Sequence, residues 1–360
     1  IFDMTGATFK ATLDELALGQ HQNSSGSGKG TLTYNAGTIT ANSITLANAN
    51  DGGTSSNTQN TTGTLNHNGG DLTVGTINLA DGASTVNITD GTVTVTTAFN
   101  LDSLAAGASS VNLSGGVLDL SGQDVINRAG AETFTVSGTG LLKDVNDFGV
   151  TYNQTGGTLQ IGADGAIDTM TVDGDFNVTG GAIEIALDGN GVNNSITVED
   201  GTAADQAVDI SNSNLLLTLN YAAASGNSHV LIANDGTADA VTGSFSNYPE
   251  VGATGLSEAF DLTFGTDVYT FQINYAGGDG NDVVLNSFGS AETSVEKVGN
   301  NLVITDINND SDDALTITDD GTHYVIQDAN LALTTSSGFE RVDGNTIRVD
   351  KTAGEGRIVN

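Results

Sequence analysis

The densest chemistry in the chain lies towards its C-terminal end. Asp306-Ile-Asn-Asn-Asp-Ser-Asp-Asp313 places four carboxylates and two amides in eight residues. Hard oxygen donors at alternating spacing suit calcium, which takes six to eight of them. Asp306, Asn308, Asp310, Asp312 and Asp313 are the candidate ligands. The run lacks the glycine and the distant Glu of a helix-loop-helix site, so a solvated acidic hairpin loop competes with a metal site. Gly277-Gly-Asp-Gly-Asn-Asp-Val-Val-Leu285 is a second candidate, because it matches the nonapeptide of calcium-binding β-rolls. Asp279 and Asp282 would be its ligands. A β-roll builds each site from consecutive turns, and this stretch occurs once.

Other chemistries find less to work with. His21, His67, His229 and His323 are far apart and lack metal-ligand spacing. No Gly-x-Ser-x-Gly nucleophile motif is present. Glycoside hydrolysis needs two carboxylates at a fixed separation, and uronate lyases need cations to neutralise the substrate. The first half offers only Lys10, Lys29, Arg128 and Lys143, scattered. The expectation is a protein that is not an enzyme, with polysaccharide degradation the least supported reading.

Charge and composition narrow the field further. Among 360 residues, 44 are acidic and 9 basic, for a formal charge of −35. Binding a phosphate backbone requires Lys and Arg, so no nucleic-acid partner is expected. There is no cysteine, hence no disulfide framework. No apolar run reaches the roughly 18 residues of a membrane-spanning helix. The first residue is Ile1 rather than Met, which suggests processing or a piece of a longer chain. Hydrophobic residues make up only 37%, beside 48 glycines and one proline. Val, Ile, Leu and Thr nevertheless alternate throughout, as in many short strands separated by turns.

An internal repeat organises the first half. Leu65-Asn-His-Asn-Gly-Gly70, Val86-Asn-Ile-Thr-Asp-Gly91, Val111-Asn-Leu-Ser-Gly-Gly116, Tyr152-Asn-Gln-Thr-Gly-Gly157 and Phe176-Asn-Val-Thr-Gly-Gly181 share one pattern. Looser copies begin at Phe2, Leu32 and Phe134. The copies end at 7, 37, 70, 91, 116, 139, 157 and 181, about 25 residues apart on average. That is the length of one coil of a β-solenoid. One coil cannot bury its own apolar face, but stacked coils bury a continuous column. The glycines would supply positive-φ corners. Asn66, Asn87, Asn112, Asn153 and Asn177 would stack as an amide ladder. The last four also sit in Asn-x-Ser/Thr sequons, but the sequon follows from the repeat itself, so the ladder is the preferred reading.

Residues 8 to 19 have helical propensity, yet they align on Thr38-Ile-Thr-Ala-Asn-Ser-Ile-Thr-Leu-Ala and read as two strands around a corner. Thr92-Val-Thr-Val-Thr-Thr97 has the alternation of a flat hydroxyl face that could bind ice or polysaccharide. Its neighbours do not repeat that array, which favours an ordinary solvated face.

After Gly181 the period is lost while strand patterning continues, and a family resemblance emerges. Val230 to Phe245, then Tyr248-Pro-Glu250, then Ile273-Asn-Tyr-Ala-Gly-Gly-Asp-Gly-Asn-Asp-Val-Val-Leu285 resemble the closing segment of autotransporter-associated β-strand-repeat proteins of bacterial surfaces. The resemblance covers about 1 to 286 and implies a right-handed β-helix in an extracellular adhesin or surface structure. Three regions are expected: a β-helix shaft over 1–181, a β-rich cap or solenoid continuation over 182–286, and a small antiparallel β module over 287–360. The last holds five of the nine basic residues. The expected fold class is all-β. The expected role is an extracellular or cell-surface structural protein, self-associating end to end as a filament or sheath subunit, or serving as an adhesin stalk. The alternative is a calcium-dependent carbohydrate-binding adhesin module with a surface polysaccharide as partner.

Overall fold

The structure is a computed structural model. It describes residues 2–4, 9–20, 27–48, 61–80, 82–101, 109–127, 132–199, 206–235, 240–307, 313–351 and 358–359. Among these the chain is all-β, with no helix. Two compact units divide it. One comprises Ile1–Glu184, Asn194–Leu216 and Asn234–Ser246; the other comprises Ile185–Asn193, Leu217–Ala233 and Asn247–Asn360.

The first unit is built by parallel pairing between successive repeats. The opening residue of each copy pairs with that of the next: Phe2 with Leu32, Leu32 with Leu65, Leu65 with Val86, Val86 with Val111, Val111 with Phe134, Phe134 with Tyr152, and Tyr152 with Phe176. The register runs one step further, from Phe176 to Val208. A second column runs Ile39, Leu72, Val93, Leu118, Leu142, Leu159, Ile183. A third runs Ile44, Ile77, Phe99, Val125, Phe148, Val172, Val198. All of these side chains are buried from Leu32 onward. Each contributes about 1.5–3 kcal/mol on burial, so the columns form the core of the unit. Because strand side chains alternate in direction, the polar residues between them face outward.

Six strands close a ring of parallel pairings: Ala83–Asn100, Ser110–Leu113, Thr133–Val136, Tyr152–Gln160, Leu141–Phe148 and Val117–Ile126. Ala83–Asn100 belongs to two sides of the ring. Its first half pairs with Ser110–Leu113 and its second half with Val117–Ile126.

Residues 8–19 illustrate how tertiary pairing overrides local propensity. Lys10–Leu18 is a strand, not a helix. Lys10–Leu13 and Glu15–Leu18 pair in parallel with Thr38–Leu46 on either side of Asp14. At that break Asn42 Nδ2 donates to the Asp14 carboxylate at 2.7 Å.

The second unit is dominated by antiparallel pairing. Phe260–Phe264, Asp267–Gly277, Asp282–Val298 and Asn301–Asp306 follow one another in antiparallel order. A four-stranded sheet runs Leu315–Asp319, His323–Asp328, Thr346–Asp350, Glu340–Asp343. Val295, Leu302, Ile304, Ile326, Leu333, Ile347 and Val349 form a shared apolar core, with Leu315, Tyr324 and Phe339 packed on it. One charge is buried nearby. The Arg341 guanidinium pairs with Asp261 at 2.8 Å and donates to the Leu333 carbonyl at 2.7 Å and to Thr270 Oγ1 at 3.1 Å. Asp261 also accepts from Thr270 at 2.9 Å and from Thr334 at 2.6 Å.

Candidate functional site

The repeated Asn positions occupy one outward column of the first unit. Asn87 Nδ2 donates to Asn66 Oδ1 at 2.8 Å, and Asn112 Nδ2 donates to Asn87 Oδ1 at 3.0 Å. Asn66 itself donates to Thr33 Oγ1 at 3.0 Å. Thr135 stands between Asn112 and Asn153 and interrupts the amides. They resume where Asn177 donates to Asn153 at 3.3 Å. Asn87 thus gives its N–H to the preceding repeat and offers its oxygen to the following one. Such pairing matches half-buried polar groups with one another.

Sequence reasoning missed further pairs of the same kind. Asn100 donates to Asn78 at 2.7 Å and Asn146 to Asp124 at 2.8 Å, both across one coil step. They lie outside the Gly-Gly motif, so only the structural register reveals them. A hydroxyl column was missed as well. Thr31, Thr64, Thr85, Ser110 and Thr133 pair in sequence, two residues before the ladder positions and therefore on the same face. A shorter hydroxyl column, Thr40, Thr73 and Thr94, runs through the Thr92–Thr97 segment and ends where Thr94 pairs with Asp119.

Three polar side chains replace apolar ones inside the stack. Tyr34 and His67 occupy the inward position that Ile88, Leu113 and Val136 fill in later coils. Both are fully buried, and the Tyr34 hydroxyl lies 2.7 Å from His67 Nδ1. Burial lowers the His67 pKa to about 4, against the attraction of Asp71 and Asp90. The imidazole is therefore neutral at neutral pH. Gln154 takes the same inward position lower in the series. It accepts from the Tyr152 hydroxyl at 2.7 Å and donates to the Ala182 carbonyl at 3.0 Å. In the second unit, His229 is likewise buried, with the Tyr221 hydroxyl 2.8 Å from Nε2 and Asn193 Oδ1 3.2 Å from Nδ1. Burial lowers its pKa to about 4. These histidines are core residues: His67 meets the Tyr34 hydroxyl, and His229 a hydroxyl and an amide.

The calcium candidates separate into two places. Asp279 and Asp282 lie at an antiparallel hairpin, with Gly277 paired to Asp282 and the Gly280 N–H donating to the Gly277 carbonyl at 2.8 Å. A β-roll site is built between parallel turns, so the local geometry differs from the nonapeptide's setting. Of the acidic run, Asn308, Asp310 and Asp312 lie outside the described residues. Asp306 and Asp313 both meet Thr293: Asp306 is its strand partner, and the Asp313 carboxylate accepts its hydroxyl at 2.5 Å. Among the described residues no group of three His, Cys, Asp or Glu is arranged to hold a metal ion. No helix among them is long and apolar enough to cross a membrane.

A cleft of about 270 Å³ lies in the second unit. One wall is the outward row of the four-stranded sheet. His323 pairs with Asp350 and Glu340 with Arg348, while Ile347 and Val349 point to the core. The other wall is the 335–339 loop, clamped to Glu296. The Ser336 N–H donates to Glu296 Oε1 at 2.6 Å, its hydroxyl to Oε2 at 3.0 Å, and the Ser337 hydroxyl also to Oε2 at 2.5 Å. Burial raises the Glu296 pKa, but these hydrogen bonds outweigh it and hold the carboxyl below its ordinary value. The Lys297 N–H closes the clamp on Ser337 Oγ at 2.7 Å.

Comparison with family models, with curated proteins and with solved structures finds no match.

Proposed function

We propose that this chain is an extracellular structural protein of a bacterial surface: a shaft of stacked coils that serves as a filament or sheath subunit or as an adhesin stalk. The architecture inferred for the first unit is a right-handed β-solenoid. The observation that carries this reading is the register from Phe2 to Val208, in which each repeat pairs in parallel with the next and skips none. The six-strand ring fits the same architecture. It closes because Ala83–Asn100 and Tyr152–Gln160 each turn a corner and lend their halves to two faces. Parallel crossovers within one sheet are right-handed in about 98% of cases, which supports the hand. The resemblance to autotransporter-associated β-strand-repeat surface proteins points to the same architecture and to the same location.

A stack of this kind is stabilised by each coil on its neighbour. It serves as a spacer because no single coil has to carry the fold. A rim left unpaired would let another copy continue the pairing as a heterologous contact that propagates. The charge of −35 opposes sideways association, unless divalent ions bridge the shafts. This reading gives the chain no catalytic role.

Electron microscopy of the purified protein, with millimolar calcium and with chelator, tests self-association. Unbranched fibres are expected, and their loss in chelator would place calcium at the contacts. Single particles in both conditions would overturn the filament form of the proposal.

A further inference from the structure

We infer that the cleft between the four-stranded sheet and the 335–339 loop binds a carboxylate-bearing sugar residue, a hexuronic acid within a polysaccharide. This names a ligand class that the shaft reading leaves open, and it stands or falls independently of that reading. It also needs no calcium.

Among the described residues, the cleft offers one cation that no ion pair engages. The chain carries only nine basic side chains, and Lys297 and Arg348 both line this one cleft, beside His323. Arg348 is paired with Glu340 at 3.3 Å, and His323 with Asp320 at 3.1 Å. Lys297 is exposed and has no carboxylate partner among the described residues. Its backbone N–H is held by Ser337, and its side chain lines the cleft without forming an ion pair with Glu340 or Asp350 there. A ligand carboxylate supplies the counter-charge. A phosphate or sulfate fits less well, because Glu340 and Asp350 also line the cleft and would repel a more highly charged group.

The same two carboxylates favour a ligand rich in hydroxyl donors. Ionised Asp and Glu only accept hydrogen bonds, and sugar hydroxyls donate them. Phe339 is half-buried, packed on the core and also facing the cleft, and offers an aromatic surface to the apolar C–H face of a ring. The volume of about 270 Å³ lies just below the range of drug-sized ligand pockets, which begins near 300 Å³. It suits one sugar ring of a longer chain. Lys297 is the charge-pairing residue, Phe339 the stacking residue, and Glu296 a positioning residue that acts through the loop.

The test is titration of the full chain with uronate tetrasaccharides of the galacto, gluco and manno series, followed by calorimetry and by amide NMR shifts. Fully methyl-esterified forms of the same sugars serve as uncharged controls. At least one acidic series should bind and shift the amides around 297, 323 and 337–350, while its ester should not. Lys297→Glu leaves the core untouched and should weaken binding roughly ten-fold or more, the scale of a lost charge-assisted hydrogen bond, with the remaining amide spectrum unchanged. Binding in none of the three series overturns the proposal. Equal binding of acid and ester, or equal affinity in Lys297→Glu, overturns it as well. None of these outcomes depends on whether fibres form.

Discussion

Gly91 lies directly against Gly70 of the preceding repeat: a Cβ added to Gly91 would sit 2.3 Å from the Gly70 carbonyl oxygen. The contact recurs along the stack. Gly70 would meet the Gly37 carbonyl at 2.4 Å, and Gly181 would meet that of Gly157 at 2.3 Å. These glycines thus answer two demands, a positive φ and a close backbone approach. The two demands can be separated experimentally. Gly165 has φ 76° and nothing within 4 Å of a built Cβ, while Gly91 has φ 79° and the carbonyl contact. Gly165→Ala should cost about 1 kcal/mol, the left-handed penalty alone. Gly91→Ala should cost at least about 3 kcal/mol, because the backbone above cannot yield as a side chain would. Denaturant midpoints of the two variants measure the difference. Equal costs would show that the glycines serve the turn and not the stacking.

Asn87 both donates to Asn66 and accepts from Asn112. Asn87→Asp keeps the acceptor and loses the donor, facing one oxygen with another. A loss of about 2 kcal/mol is expected at neutral pH. Protonation of the new carboxyl restores a donor, so the variant should regain stability relative to the parent as pH falls through the carboxylate range. A penalty that does not change with pH would mean the amides are not coupled.

His67 makes a pH signature. Its folded pKa is about 4 against an ordinary 6.5, so between those values the unfolded chain binds the proton and the folded chain does not. Stability is therefore fully retained above pH 6.5 and falls as pH drops towards 4, by about 3 kcal/mol from this residue. The double variant Tyr34→Phe/His67→Leu removes both polar partners together, which avoids orphaning either. Stability profiles from pH 7 to 4 should be flatter for the variant than for the parent. Parallel profiles would contradict the assignment of a buried neutral imidazole.

In the second unit, Arg341→Met would leave the Asp261 carboxylate without its guanidinium. Breaking one side of a buried pair costs about 3–5 kcal/mol. Arg341→Met/Asp261→Asn should recover a good part of that loss, because the charge is gone and the amide still pairs with both hydroxyls. Thr270 and Thr334 donate to different oxygens of Asp261, so one can donate to the amide oxygen and the other can turn to accept from the amide N–H. Thermal unfolding of the single and double variants checks the order.

Much of the first unit was legible in the sequence because its repeat is written in residues with narrow roles. The first positions of the repeat, from Phe2 to Phe176, are those that pair in space. The next coil was not legible. Val208-Asp-Ile-Ser-Asn-Ser carries no glycine, and Asn212 takes the positive φ of 60° at the corner instead. Asn is the non-glycine residue that tolerates this conformation, so the motif changed letters while the geometry persisted. Corners at Ser121 and Asp144 (φ 51° and 56°) hide in the same way. The cleft was invisible for a different reason. Lys297, His323, Phe339 and Arg348 are spread over some fifty residues, and only antiparallel pairing and the Glu296 clamp bring them to one place.

The stacking of coils can be tested by distance. The chain has no cysteine, so paired cysteine substitutions give clean spin-label sites. Thr31 and Thr133 are separated by four pairing steps, and Thr33 and Asn177 by six. At about 4.8 Å per step, a solenoid predicts Cα separations of roughly 19 Å and 29 Å. Electron–electron resonance on Thr31→Cys/Thr133→Cys and Thr33→Cys/Asn177→Cys should give the second distance longer by about 10 Å. A second distance equal to or shorter than the first would mean that the parallel strands close on themselves as a barrel, and would contradict the shaft.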